Sequence, residues 1–203
     1  GPSMTELLDR EVREVPVALR ARSELAESTS DIAQERYFSR EFHDLEVEHV
    51  WKKTWQWACR LEQIPDVGDT WVYDVASLSV LVVRVSEDVI KAYPNACLHR
   101  GALLRVKAGN VPELRCSFHG FCWSLDGELA DVPCAWDFPH VNQESFRLPE
   151  YQVAVWEGFV FINMDPHAEP LDTYLGGLVE QVREVARPPR GDRFLAAPVT
   201  KVI

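Results

Sequence analysis

Apolar and polar positions follow three different rhythms along this chain, and the changes of rhythm divide it. Residues 4–36 are charged and helix-prone, from Glu6-Leu7-Leu8 to Arg20-Ala21-Arg22, without a clear apolar face, so they read as an arm that needs a partner surface. Over 39–58 the positions Val47, Val50, Trp51, Thr54 and Ala58 recur at helical spacing, with Ser39 as N-cap and no internal Pro or Gly. That spacing predicts one amphipathic helix, with Trp51, Trp55 and Trp57 in the core. Past Pro65 and Gly68 the period falls to two. Segments 70–75, 78–85, 89–93, 113–116, 121–125, 152–156 and 159–163 are rich in β-branched and aromatic residues and divided by turn residues, with Asp126-Gly127 as a hairpin signal. An antiparallel β-sandwich or small barrel is expected. After Pro166 the helical period returns in Leu171, Leu175, Leu178, Val179, Val182 and Val185, interrupted by Gly176-Gly177 and ended by Pro188-Pro189 and Gly191. Residues 197–203 read as a strand cut short.

Composition narrows the partners. Among 203 residues, 21 Lys and Arg face 32 Asp and Glu, a net charge of −11, and no basic tract interrupts the excess. This is not the footprint of a protein that binds nucleic acid or anionic lipid. No apolar run reaches the roughly 18 residues of a membrane span, and the N-terminus has no signal-peptide core, so a cytoplasmic protein is expected. Gly1-Pro2-Ser3 ahead of Met4 reads as the scar of a cleaved tag. The cysteines Cys59, Cys97, Cys116, Cys122 and Cys134 are odd in number, which points toward metal binding rather than a disulfide framework.

Cys97-Leu98-His99-Arg100-Gly101 and Cys116-Ser117-Phe118-His119-Gly120 concentrate the candidate chemistry. Two thiolates and two imidazoles can hold a tetrahedral zinc ion or a two-iron cluster. Zinc modules usually draw like ligands from one knuckle, whereas each loop here offers one Cys and one His. The mixture suits a [2Fe–2S] cluster in which one iron takes both sulfurs and the other both imidazoles. On these residues the chain resembles the Rieske-type iron–sulfur proteins, whose glycines after each loop are matched by Gly101 and Gly120. The remaining cysteines, Cys59, Cys122 and Cys134, lack metal-ligand spacing and read as packing residues.

The resemblance reaches further. Arg36-Tyr37-Phe38, Glu48-His49-Val50-Trp51, Trp55, Asn95-Ala96-Cys97, Leu125-Asp126-Gly127 and Gly158-Phe159-Val160-Phe161-Ile162-Asn163 look like the N-terminal part of the α subunit of Rieske non-haem iron, ring-hydroxylating-type oxygenases. It implies a mostly β, Rieske-type antiparallel β-sandwich. The division would be 1–3 scar, 4–36 arm, 37–66 helical lead, 67–165 Rieske domain, and 166–203 a helix and the start of a truncated catalytic domain. It assigns Cys97 and Cys116 to one iron and His99 and His119 to the other, with His119 facing a neighbouring subunit, Trp123 shielding the cluster and Arg100 shaping the local field. Respiratory and photosynthetic members carry an extra disulfide cysteine in each loop where Ala102 and Phe118 stand here. Ser124 is also not placed like that branch's hydrogen-bonding serine. A potential low in the Rieske span of roughly −150 to +300 mV is implied.

The implied function is electron transfer from a ferredoxin or flavin reductase to a mononuclear Fe(II), within an enzyme whose α subunits form trimers. A stand-alone Rieske ferredoxin-like carrier and a zinc-stabilised interaction domain are the alternatives. No facial triad is legible for the mononuclear iron: His43 and His49 fall on different helical faces, His167 stands alone, and in Asp137-x-x-His140 the expected second His is Ser145. Catalysis would therefore need a domain outside this chain. Arg100, Arg105, Lys107 and Arg115 make the cluster region locally positive, a docking patch for an acidic ferredoxin.

Overall fold

A computed structural model describes residues 1–20, 32–142 and 146–185. The chain divides into two units, Gly1–Ser39 and Arg40–Ile203. In the first, α1 (Met4–Asp9), α2 (Val17–Arg20) and α3 (Glu35–Phe38) are short; α1 and α3 bury no residue, and Val17 and Leu19 of α2 are exposed. Ser3, from the expected tag scar, closes a capping box with Glu6, and Arg20 Nη1 meets Asp9 Oδ1 at 2.7 Å.

The second unit corrects the expected 39–58 helix. Helix α4 (Arg40–Glu46) continues only as a π-helical turn, Val47–Trp51, and strand β1 (Gln56–Arg60) follows. Val47, Val50, Trp51, Thr54 and Ala58 fit the helical spacing, yet pairing of 56–60 with a distant hairpin strand overrides that local pattern. Trp55 is buried through a bond from its Nε1 to the Glu169 carbonyl (2.8 Å), whereas Trp57 is 54% exposed, contrary to its expected core role.

Nine more strands follow among the described residues: β2 (Asp69–Val75), β3 (Leu78–Arg84), β4 (Ile90–Pro94), β5 (Gly109–Asn110), β6 (Leu114–Arg115), β7 (Cys122–Trp123), β8 (Leu129–Asp131), β9 (Gln152–Trp156) and β10 (Phe159–Asn163). They form three antiparallel sheets, β1-β10-β9, β4-β3-β2-β5 and β6-β7-β8. The fold is thus mostly antiparallel β, as expected.

The middle sheet explains why β3 does not alternate. Val80 and Val82 pack with Ala58, Cys59, Val160 and Ile162 of the first sheet, while Leu81 and Val83 pack with Leu114, Trp123 and Leu129 of the third. A strand covered on both faces is apolar throughout, and each such side chain contributes about 1.5–3 kcal/mol on burial. Asp126-Gly127 does turn the chain between β7 and β8, with Gly127 N–H bonded to the Ser124 carbonyl at 3.0 Å. Gly127 adopts φ +87°, and a Cβ there would lie 2.8 Å from the Tyr93 ring.

Gly176 (φ +50°) ends α5 (Leu171–Leu175), and α6 (Leu178–Val185) starts afresh, so the glycine pair breaks the expected helix instead of loosening it. The expected stop at Pro188-Pro189 and Gly191 and the expected strand 197–203 lie outside the described residues. Among the described residues no helix is long and apolar enough to cross a membrane.

Candidate metal centre

Both ligand loops leave the sheet ends in the same backbone form. The N–H of Cys97 bonds to the Ala102 carbonyl at 2.8 Å and the N–H of Gly101 returns to the Cys97 carbonyl at 2.8 Å. In the second loop the N–H of Cys116 bonds to the Phe121 carbonyl (2.8 Å) and that of Gly120 to the Cys116 carbonyl (3.0 Å). This closure requires a left-handed residue at each glycine, φ +72° at Gly101 and +78° at Gly120, conformations that cost an L residue about 1–2 kcal/mol. A Cβ on Gly120 would also come 2.9 Å from Pro133 Cγ.

The loops present their four donors as an inner pair and an outer pair. Cys97 and Cys116 are 4% and 2% exposed, members of the apolar core that holds Leu104, Phe121 and Trp123. Burial pushes the Cys97 thiol above the ordinary range, and the neighbouring Cys116 thiol also acts to raise it. The backbone N–H groups of His99 and Arg100, aimed at its sulfur, act the other way. Outside, the His99 and His119 rings lie 4.8 Å apart, edge to face at 66°. Loss of water, then the field of His119, Arg100 and His140, holds the His99 imidazole below its usual range.

This donor set fits a binuclear centre. Two sulfurs in an apolar interior and two imidazoles at the rim make separate soft and borderline binding points. Among the described residues no group of three or more His, Cys, Asp or Glu side chains is gathered closely enough to hold a metal ion. Asp137 and His140 accordingly have no third ligand there, and Ser145 lies outside the described residues.

Polar clamps hold each loop. Asn95, 1% exposed, donates from Nδ2 to the Arg105 carbonyl (2.7 Å) and to Ser79 Oγ (3.0 Å), and accepts the Arg105 N–H at Oδ1 (2.9 Å). Asn95→Ala leaves those buried groups without partners, and a loss of about 1–3 kcal/mol in chemical unfolding is expected, with Asn95→Asp recovering only part of it. Arg115 grips the second loop: Nη1 donates to the Gly120 carbonyl and to Asp131 Oδ2, both at 3.0 Å, and Nε meets Glu113 Oε1 at 2.8 Å.

Arg115, expected in the docking patch, pairs with both Glu113 and Asp131 as it clamps the loop. Arg105 is half-buried with its Nε enclosed and unpartnered, whereas Arg100 and Lys107 are exposed.

Trp123 lies fully buried in the same core as both cysteines, its ring stacked on Phe146 and its Nε1 bonded to the Phe146 carbonyl at 3.2 Å. Cys122 points the other way across β7: Glu113 and Arg115 are its charged neighbours, and burial pushes its thiol up to about 12. Cys59 sits in the core between the first two sheets and Cys134 is exposed. Sequence reasoning missed Asn95 as a clamp, the dual role of Arg115, and Phe138. The last approaches from a segment far along the chain with no metal-ligand motif to mark it.

Paired Cys and His on twin glycine-closed loops of a β-sheet domain define a candidate iron–sulfur centre. Comparison with known proteins gives the particular kind: residues 54–152 match the Rieske [2Fe-2S] domain family, and the chain carries the Rieske portion found N-terminally in ring-hydroxylating oxygenase α subunits. The anthranilate 1,2-dioxygenase large subunit of Acinetobacter baylyi is 33% identical over 148 residues, which cover 71% of this chain and 31% of that one. The biphenyl 2,3-dioxygenase α subunit of Rhodococcus jostii is 31% identical over 152 residues, 74% of this chain and 33% of its own. Naphthalene 1,2-dioxygenase from Rhodococcus sp. superposes with a TM-score of 0.66 at 32% identity, covering 71% of this chain and 34% of that structure. The quaternary ammonium Rieske monooxygenase CntA superposes at 0.68 with 26% identity, covering 74% and 42%. The chain spans about a third of the length of these curated relatives. A Rieske domain implies a [2Fe–2S] cluster.

Proposed function

We propose that this chain performs the electron-transfer step of a Rieske oxygenase α subunit, with Cys97, Cys116, His99 and His119 holding the cluster. The observation that carries the reading is the division of the donors into a buried sulfur pair and a rim pair of imidazoles. When bound, a [2Fe–2S] cluster supplies a one-electron couple. Cys97 and Cys116 fix the inner side in the core, and the backbone N–H groups of His99 and Arg100 offset negative charge on the Cys97 sulfur. His119, exposed at the rim, offers a route between the site and a partner surface.

Phe118, 63% exposed and with its ring 3.9 Å from that of His119, extends an apolar contact around the same tip. Arg100 and Lys107 supply positive charge for an acidic ferredoxin or flavin reductase. Inter-subunit electron transfer is described for CntA, and by analogy His119 would pass electrons to a mononuclear iron in a separate domain of a neighbouring α subunit, in a trimer. Oxidation of an aromatic or similar compound would occur there; the relatives' names supply that reading.

The test is anaerobic loading with iron and sulfide. Two irons and two acid-labile sulfides per chain, visible charge-transfer bands, and a paramagnetic signal after dithionite are expected. A colourless protein with one tightly bound zinc would overturn the proposal and favour a zinc-stabilised interaction domain. For the docking patch, Arg100→Glu with Lys107→Glu is expected to slow reduction by an acidic ferredoxin about tenfold or more at low salt, with the difference shrinking as salt is added. Rates and salt slopes equal to the unmodified protein would remove the patch from the reading.

A further inference from the structure

The two rim imidazoles have unequal surroundings. His119 is exposed and touches the exposed Phe118 ring. His99 is half-buried and enclosed by aromatic carbon on two sides. Its ring stacks on Phe121 at 4.7 Å and 15°, and Phe138 stands edge-on to it at 5.3 Å and 82°. Phe138 is also edge-on to Phe121, at 5.2 Å and 83°, so the three rings brace one another. Phe121 itself is fixed in the core against Trp123 and Phe146.

Phe138 reaches this position on a third segment, distinct from both ligand loops. A 3₁₀ turn, Ala135–Asp137, precedes it, and the N–H of Phe138 bonds to the Ala135 carbonyl at 3.0 Å. The N–H of Val141 then bonds to the Phe138 carbonyl at 3.0 Å. Pro133 anchors the start of the segment by packing where a side chain on Gly120 would go. The Phe138 ring also lines a cavity of about 250 Å³ with Leu129, Val132, Ala135 and Val141. It is therefore part of the wall between that space and His99.

We propose that Phe138 is a positioning residue that fixes the plane of the His99 imidazole and keeps water from that side of the centre. The proposal rests on the reading of His99 as a cluster ligand. Reduction adds one negative charge to the centre, and an apolar wall disfavours added charge more than water does. Removing the ring opens the 250 Å³ space toward His99, so the reduced form gains solvation and the potential rises. Freed of its edge contact, the imidazole also changes its orientation at the metal. His119, with no such enclosure, keeps its own geometry.

The experiment compares the loaded protein with Phe138→Ala, Phe138→Leu and Phe138→Tyr by redox titration and by EPR of the reduced state. Phe138→Ala is expected to raise the equilibrium constant for reduction about three- to tenfold, tenfold being about 59 mV for a one-electron couple. Its EPR g-values should move, and Phe138→Tyr should return both readouts to those of the parent. If Phe138→Ala fails to load, Phe138→Leu fills the space without a flat edge and is expected to show a smaller shift of the same sign. A loaded Phe138→Ala or Phe138→Leu with parental potential and g-values overturns the proposal. Failure of the parent protein itself to give a reduced paramagnetic signal would instead remove the cluster reading, so the two failures are distinguishable.

Discussion

Serine at Cys97 or at Cys116 is expected to abolish the charge-transfer absorption and the reduced EPR signal, whereas serine at Cys59, Cys122 or Cys134 should leave both in place. The contrast follows from where each sulfur points. Cys97 and Cys116 lie in one buried core, each at the start of a loop with the same hydrogen-bond closure. Cys59 is enclosed among Val80, Val160 and Ile162 between the first two sheets, and burial pushes its thiol up to about 12, so it is a packing residue. Cys122 lies on the face of β7 opposite Phe121 and Trp123, because successive side chains of a strand alternate. Its serine variant should cost about 1 kcal/mol or more in stability without loss of colour. Loss of the spectrum on changing Cys122, with retention on changing Cys116, would reassign the inner pair.

How much of this was legible in the sequence depended on how local the cause was. Strands β9 and β10 coincide with the expected 152–156 and 159–163, because a short hairpin is specified by its own alternation and by the turn at Glu157-Gly158. The two motif loops were legible too, since in each the Cys, the His and the Gly lie within five residues of one another, and the structure brings both loops to one end of the same core. The Rieske resemblance rested on those loops, and the resemblance to oxygenase α subunits on flanking segments such as 48–51, 125–127 and 158–163; both agree with the domain match and the relatives.

Elements fixed by distant partners were not legible. The helical spacing ran on to Ala58, but pairing with β10 makes 56–60 a strand. Phe138 brings no motif of its own: its position beside His99 comes from the packing of Pro133 on Gly120 and the short turn that follows. Charge counting saw Glu113 beside Arg115 but not Asp131, which β8 brings up from further along the chain. Arg115 adds one to any sum of positive residues near the second loop, yet Glu113 and Asp131 oppose it, and its most specific contact is with a backbone carbonyl.

The same dependence on distant contacts makes the core behind the loops the most sensitive part of the fold. Trp123→Ala is expected to cost about 3–5 kcal/mol, a large share of a typical total of about 5–15 kcal/mol. The ring is fully buried, stacks on Phe146, tilts against Phe121 and donates to the Phe146 carbonyl, so truncation leaves a cavity and an unmatched acceptor together. Trp57→Ala, at a ring more than half exposed, should cost only about 1 kcal/mol. Urea unfolding of both variants measures the difference through the midpoint at an unchanged slope. Because Cys97 and Cys116 belong to the core that Trp123 fills, its loss should also shorten the time for which the loaded protein keeps its colour in air. Midpoints and colour lifetimes that are equal in the two variants would mean that the inner sulfur pair is held by its loops alone and that the core beneath contributes nothing to it.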